Sequence, residues 1–347
     1  MKIITQAVCA LVALIAFAAC APISSDEETA ATGRLTHVDL CFSSLATPNA
    51  LVSFAVEQGL MEKYDLEIES HTFESGSDAT VALIAGDVDM CLAAGASVVN
   101  AALAGEDLVI VAGLGNRQNY YMMVAPEIEG PADLKGKTMA VSSPGSASDA
   151  VLRSMLQSLG LQPDVDVVIM AVGGSADRLA AMESGQVAGS AMAMFEAARA
   201  ESMGYHALLK PTDMDMDYQF TAAVTTRNFL TNNRNVVAGF LKGLTEASAR
   251  ARVDKEGMQA QMVETLGLDP VKDAAITDYV YEEYFHNYLP EKFYPTETGV
   301  QVIIDAARPE NPTARDLTAA DIIDASIIKD LDDSGFIDNA KESQGEP

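Results

Sequence analysis

The chain has 347 residues, enough for two lobes with separate cores, and its 49% hydrophobic content marks a folded protein rather than a disordered one. It carries 50 acidic against 22 basic residues, a formal charge of −28. That surplus argues against nucleic acid as a partner, because phosphate binding needs clustered Lys and Arg, and against docking flat on an anionic membrane. A charge so large fits a saline habitat, where repulsion is screened, and equally an acidic exported protein.

Lys2 is followed by a continuous apolar run from Ala7 to Ala19, shorter than a bilayer-spanning helix needs. This is the pattern of an export signal. It ends Phe17-Ala18-Ala19-Cys20, which resembles a bacterial lipobox, where the signal is cut before a cysteine that then carries lipid. Residues 1–20 are therefore expected to be a lipoprotein signal peptide with Cys20 lipidated; ordinary cleavage near the same point is the alternative. Residues 21–33, rich in Ser, Glu, Thr and Ala, read as a flexible tether.

From Leu35 the pattern alternates strand and helix. Strands are expected at Leu35–Phe42, Leu66–Phe73, Val88–Ala93 and Leu108–Leu114, with helices at Ala50–Gln58, Asp78–Ala85 and from Gly95 through Leu103. Gly115–Asn119 is a break, and Tyr120–Ala125 is a strand that crosses to a second lobe. There the pattern repeats. Strands fall at Thr138–Ser142, Val165–Val172 and Gly189–Met194, with helices up to Leu159, at Ser175–Ser184 and at Phe195–Met203. Tyr218–Thr226 returns the chain to the first lobe. The remainder is helical, at Asn235–Asp254, Gly257–Leu266, Val271–Glu283 and Thr296–Ala307, with an amphipathic helix over Thr318–Leu331 and a polar, frayed end after Ile337. Such βαβ alternation with short links predicts an α/β protein with parallel sheets covered on both faces. The expected division is lobe 1 at 34–120 and 222–337, lobe 2 at 121–221, and a polar tail at 338–347.

Of the four cysteines, Cys9 leaves with the signal, and only Cys41 and Cys91 remain in the folded part. A strand order of 2-1-3 would make them neighbours, which an exported protein could bridge. A bridge between paired parallel strands is geometrically awkward, so two buried thiols are expected. The four histidines stand apart in sequence and no Cys/His spacing has ligand form, so no metal site is expected.

The stretch Asp133–Gly160 carries the first functional signal. A short strand meets the turn Ser143-Pro-Gly-Ser-Ala-Ser148, and a helix opens whose Val151, Met155, Leu156 and Leu159 share one face. Ser146 or Ser148 can cap that helix. Its start leaves amide hydrogens and a partial positive charge facing the crevice at the strand ends, where open α/β sheets bind ligands.

Several segments in this order resemble one family. They are Ala55-Val-Glu-Gln-Gly-Leu-Met61, Gly76 through Asp89, Gly95-Ala-Ser97, Asp133-Leu-Lys-Gly-Lys137, Gly145-Ser146, Gly160-Leu161, and Gly185-Gln-Val-Ala-Gly189 with Met194-Phe-Glu196. The chain looks like the periplasmic substrate-binding proteins of ABC importers for taurine, alkanesulfonates, nitrate and pyrimidine precursors (NMT1/THI5-like). The resemblance implies a bilobal periplasmic-binding-protein fold of type II that closes like a flytrap on one small solute. It also implies a permease and ATPase as partners, no cofactor, and a monomer on the outer face of the cytoplasmic membrane or in the periplasm. A solute sensor would use the same fold.

By that resemblance the ligand loops fall on Ser43, Ser44 and Thr47, on Ser75, Gly76 and Ser77, on Ala96 and Ser97, and on Ser143, Ser146, Ala147 and Ser148. Phe195 and Glu196 stand where relatives carry Trp-Glu-Pro or Trp-Ala-Pro, so Phe195 is expected to stack on the solute, with Phe73, Tyr120 and Tyr218 as companions. Arg117, with Asn119 beside it, is the cation expected to meet a carboxylate or sulfonate; Glu196 could meet an amine. A neutral pyrimidine is the alternative solute. Pyrimidine-forming enzymes of this fold need a cysteine-rich run that is missing here, so catalysis is not expected.

Overall fold

In the computed structural model the described residues are 34–43, 45–213, 217–308 and 316–345. The expected signal, tether and lipidated Cys20, and Ser44, lie outside them. Ten strands follow in chain order: β1 (Thr36–Phe42), β2 (Leu66–Thr72), β3 (Met90–Ala94), β4 (Leu108–Arg117) and β5 (Tyr120–Val124). They continue with β6 (Thr138–Val141), β7 (Val168–Ala171), β8 (Gly189–Ala193), β9 (His206–Leu209) and β10 (Asp217–Thr226). They form two sheets, β2-β1-β3-β10-β4 and β7-β6-β8-β5-β9.

The two sheets share one plan. β1 pairs in parallel with β2 and β3, and β6 does so with β7 and β8. The fourth strand of each sheet is antiparallel to both its neighbours. These two strands, β10 and β5, enter from the opposite sheet without a helical crossover, which frees them from the parallel direction. Gln118 shapes the first crossing: it is buried, and its Oε1 accepts the amides of Asn119 (2.8 Å) and Tyr120 (3.0 Å). β4 runs on to Arg117, past the expected end at Leu114, because β10 pairs with it as far as Asp217.

Six helices leave the carboxyl ends of the parallel strands. From the first sheet come α1 (Thr47–Glu57), α2 (Gly76–Ala85) and α3 (Gly95–Leu103); from the second, α4 (Ala147–Ser158), α5 (Ser175–Glu183) and α6 (Met194–Ser202). The C-terminal third adds α7 (Arg227–Asn232), α8 (Arg234–Val253), α9 (Lys255–Leu266) and α10 (Ala274–Tyr281), which continues as a π-helical stretch, Glu282–Tyr288. α11 (Glu297–Ala307), α12 (Ala319–Ile322), α13 (Ser326–Asp333) and α14 (Phe336–Glu342) follow. One core lies under α1, α8 and α9, with Phe54, Phe240, Leu244 and Met258 buried together. No helix among the described residues is long and apolar enough to cross a membrane.

Three expectations are corrected here. The helix foreseen over Thr318–Leu331 is interrupted: Ile323 is extended and bridges Ile110, while Asp324 N–H donates to the Ile110 carbonyl at 2.9 Å. That contact covers the outer edge of β4, which would otherwise lie open to other chains. The end foreseen as frayed is helical to Glu342, because Ile337 and Ala340 are buried in α14 against α8. Finally, Cys41 and Cys91 form a disulfide. They are register partners in β1 and β3 with Cα atoms 4.3 Å apart, so both side chains leave the same face and meet.

Candidate functional site

Between the two sets of strand ends lies a narrow cavity of about 70 Å³. The starts of α1, α2, α4, α5 and α6 reach its wall, and Ala94, the residue before α3, joins them. Four of these helices begin without a side-chain cap. Their N-cap residues are Ala46, Ala94, Gly174 and Ala193, and all four line the cavity. Ala and Gly have no side-chain oxygen to accept a first-turn amide, so these starts present their dipoles without a capping side chain; at α1 Pro48 carries no N–H, and Asn49 N–H donates to the Ala46 carbonyl at 3.0 Å. α2 and α4 differ. Ser75 and Ser146 accept the amides of Asp78 (3.2 Å) and Asp149 (3.4 Å).

The cation in the cavity wall is Arg178, on the first turn of α5; the carboxylates of Glu74 and Glu196 belong to lining residues as well. Arg178 is 3% exposed. Its guanidinium donates to Ser190 Oγ (3.0 Å), the Ala191 carbonyl (2.5 Å) and Ser175 Oγ (3.0 Å). Its Nε has no partner, and among the described residues no carboxylate lies within ion-pair distance of it, Glu196 acting on it from farther away. Burial lowers its pKa, an effect opposed by Tyr120 and Glu196; an arginine remains charged regardless.

Glu196 shares the wall, and its Oε2 is buried without a partner. Burial raises its pKa; its own amide, Arg178, the Ser175 hydroxyl and Arg199 pull in the other direction. Asn119 Oδ1 and the Tyr284 hydroxyl are likewise buried and unpaired. Of the five buried side-chain polar atoms without a partner among the described residues, four therefore belong to residues lining this one cavity. Buried polar groups are almost always paired, so the concentration marks a place built for a guest that supplies the missing partners.

The structure brings many of the sequence-predicted residues together. Ser43, Thr47 and Gly76 line the cavity from the first lobe, Asn119 and Tyr120 from the crossing, and Ser146, Ala147, Phe195 and Glu196 from the second lobe. The aromatic wall is Phe42, Phe220 and Tyr284 with Tyr120 and Phe195; Tyr120 meets Phe220 edge-on at 4.9 Å. Phe73 and Tyr218 are not part of it and pack in a core.

Others sit elsewhere for identifiable reasons. Arg117 is exposed and donates to the Asn287 carbonyl in a separate hollow, so the cation expected at that position is replaced by Arg178. Ser75 is occupied as a cap, and Ser148 binds Ser142 N–H (2.9 Å) and Ser146 Oγ (3.0 Å). Ala96 is core, and Ser97 Oγ lies behind Gly76, where any Cβ would approach it to 2.2 Å. Ser77 and Ser143 form part of a seam between the lobes. There Ser143 Oγ donates to Ser77 Oγ (3.3 Å), Ser77 Oγ to the Pro144 carbonyl (3.3 Å) and Asn100 Nδ2 to the Gly145 carbonyl (2.9 Å).

Sequence reasoning missed Arg178 and the uncapped starts. The signal was present: Ala46, Ala94 and Ala193 each precede a helix where Ser, Thr, Asp or Asn is the common choice.

Two βαβ lobes joined by crossing strands, with helix starts facing each other across a gap, define a periplasmic-binding-protein architecture. A model of the family described as NMT1/THI5 like matches residues 49–257, well over half of the chain, and the chain belongs to that family. Among solved structures it is similar to the periplasmic aliphatic sulphonate binding protein SsuA from Escherichia coli, at 22% identity and TM-score 0.66, covering 83% of this chain and 91% of that one. It is also similar to the alkanesulfonate-binding protein SsuA from Xanthomonas axonopodis pv. citri bound to MOPS, at 19% identity and TM-score 0.69, covering 83% and 97%. A third is the periplasmic nitrate-binding protein NrtA from Synechocystis PCC 6803, at 16% identity and TM-score 0.73, covering 86% and 89%. These neighbours are binding proteins and establish the fold. A comparison with curated protein sequences gives no match.

Proposed function

We propose that this chain is the extracytoplasmic solute-binding component of an ABC importer and that its solute is a small organic anion of the sulfonate or carboxylate class. The observation that carries the reading is Arg178, a buried guanidinium with no ion pair, in a cavity walled by uncapped helix starts. An unpaired buried charge costs several kcal/mol, and an anion placed there relieves that cost. The neutral pyrimidine alternative leaves it unrelieved. The binding proteins for sulfonates and nitrate with the same fold support the class.

The solute would bind open lobes and be enclosed as they meet, with first-turn amides and Arg178 holding the anionic head and Phe195 and Phe220 against the remainder. The closed form would be read by a permease served by an ATPase. Binding without chemical conversion is supported by the structural neighbours, which are binding proteins. The sequence supports an exported monomer held to the membrane by lipid on Cys20 and the tether that follows. A thermal-shift panel of small sulfonates, carboxylates, nitrate and pyrimidines tests the solute class. Anions should raise the melting temperature; a response to pyrimidines alone refutes the reading.

A further inference from the structure

Two of the histidines that stand apart in sequence, His37 and His71, come together in the fold. β1 and β2 are paired in register His37↔Glu67, Asp39↔Glu69 and Cys41↔His71, which sets His37, Asp39, Glu67, Glu69 and His71 on one face at the sheet edge. His37 Nε2 lies 3.6 Å from Asp39 Oδ1 and 3.6 Å from Glu69 Oε2, and His37 Nδ1 lies 3.8 Å from Glu67 Oε2. One ligand atom each from His37, Asp39 and Glu69 falls within 4.8 Å of the other two. His71 Nε2 is 2.7 Å from Asp39 Oδ1 and fixes that carboxylate. This cluster is on the outer edge of the first sheet, and none of its members lines the solute cavity.

We propose that His37, Asp39 and Glu69 form a zinc-class divalent metal site, with His71 as the positioning residue for Asp39. Three arguments support it. First, the donor set of one imidazole and two carboxylates suits a borderline cation such as Zn²⁺, with remaining positions open to water. Second, the spacing fits. Tetrahedral zinc with bonds of about 2.0–2.1 Å separates its ligand atoms by about 3.3 Å, so both His37 distances need to close by only a few tenths of an ångström. A histidine hydrogen-bonded to a ligating carboxylate is the usual outer-shell support. Third, Asp39 and Glu69 are directly opposed across a strand pair with Glu67 beside them, a like-charge arrangement that destabilises a sheet unless a cation joins it. The ion would clip the edge strand β2 to β1, whose ends lead into α2 and α1 at the solute cavity.

The test uses the purified protein stripped of metal with a chelator and titrated calorimetrically with Zn²⁺ and, separately, with Mg²⁺. Saturable one-to-one zinc binding is expected, at least a hundredfold tighter than magnesium, with a rise in melting temperature. His37→Ala should weaken zinc at least tenfold, and His71→Ala should weaken it less while leaving the stoichiometry unchanged. Circular dichroism confirms that each variant is folded, and cobalt substitution gives ligand-field bands that His37→Ala removes. The proposal is overturned by unsaturable zinc binding, by magnesium binding as tight as zinc, or by a folded His37→Ala variant that binds zinc as well as the parent. Any of these would mean a generally acidic surface.

Discussion

Replacing Arg178 with Met separates a binding cation from a structural one. Met keeps much of the side-chain volume and removes the charge. In the ligand-free protein two effects oppose. The guanidinium gives up bonds to Ser190, Ala191 and Ser175, of about 1.5–3 kcal/mol each for charged donors. Against this stands relief from a buried charge without a counter-ion, and exchanging buried ions for apolar groups is often neutral or stabilising by about 1–4 kcal/mol. Ser190 also keeps a partner, since its Oγ donates to the Ala140 carbonyl at 3.0 Å. The three bonds come to about 4.5–9 kcal/mol, more than the relief, so Arg178→Met should lower the ligand-free melting temperature by several degrees while the variant still folds.

Binding has no such compensation. Removing one partner of a buried, hydrogen-bonded charge pair costs about 2–5 kcal/mol, and at about 1.4 kcal/mol per decade that is a loss of roughly 30-fold to several thousandfold in affinity. Calorimetry with the best anion from the thermal-shift panel, on parent and Arg178→Met, supplies the number. Affinity within tenfold of the parent would show that the cavity does not read an anion through this residue. A ligand-free variant that no longer folds would show that the guanidinium is chiefly a structural tie. Either result ends the argument from the unpaired charge.

Glu196 gives a pH dependence with a fixed sign. Burial raises its carboxyl above the ordinary glutamate value, so its contribution to ligand-free stability is fully present below that ordinary value and is lost as pH rises through the raised one. The neutral acid can donate to an anion and the carboxylate repels it, so anion affinity should fall over the same rise. Glu196→Gln should flatten both profiles in calorimetric and melting series; an unchanged pH dependence in that variant would assign the effect to another group. Cys20→Ala should move the protein from the membrane fraction to the soluble fraction of fractionated cells. Continued membrane association would count against the lipid anchor.

Much of the fold was legible because the periodicities were strong. Leu108–Val111, Val98–Val99 and Met155–Leu156 are buried where their spacing placed them. The errors fell where tertiary contacts override local pattern. Ile323 leaves a helical period to pair with Ile110, and Ile337 and Ala340 find a partner in α8 that no local window reveals. The disulfide depended on strand register, which a one-residue shift would have reversed. At the candidate site, small polar loops pointed to strand ends that line the cavity, but Arg178 was hidden. Its neighbours in sequence, Asp177 and Leu179, look like any amphipathic helix, and its burial follows only when β8 brings Ser190 and Ala191 beside α5. Arg117 had the more conspicuous loop position and turned outward to Asn287.

The location of the departures from local rules is itself informative. Away from the cleft the helix starts are mixed: Thr226 caps α7, Asp254 caps α9 and Thr296 caps α11, each accepting a first-turn amide, whereas α8, α10, α13 and α14 start without a side-chain cap. At the cleft, α1, α3, α5 and α6 place Ala or Gly at that position while α2 and α4 keep a capping Ser, so missing caps alone do not set the cleft apart. What sets it apart is that the partnerless Arg178 Nε and the orphaned atoms of Asn119, Glu196 and Tyr284 gather in one small volume. Packing alone gives no reason for these costs to coincide, whereas a guest that supplies acceptors to the amides and to Arg178 lowers them together. The deficit thus provides the differential interaction by which a solute favours the closed arrangement over the open one.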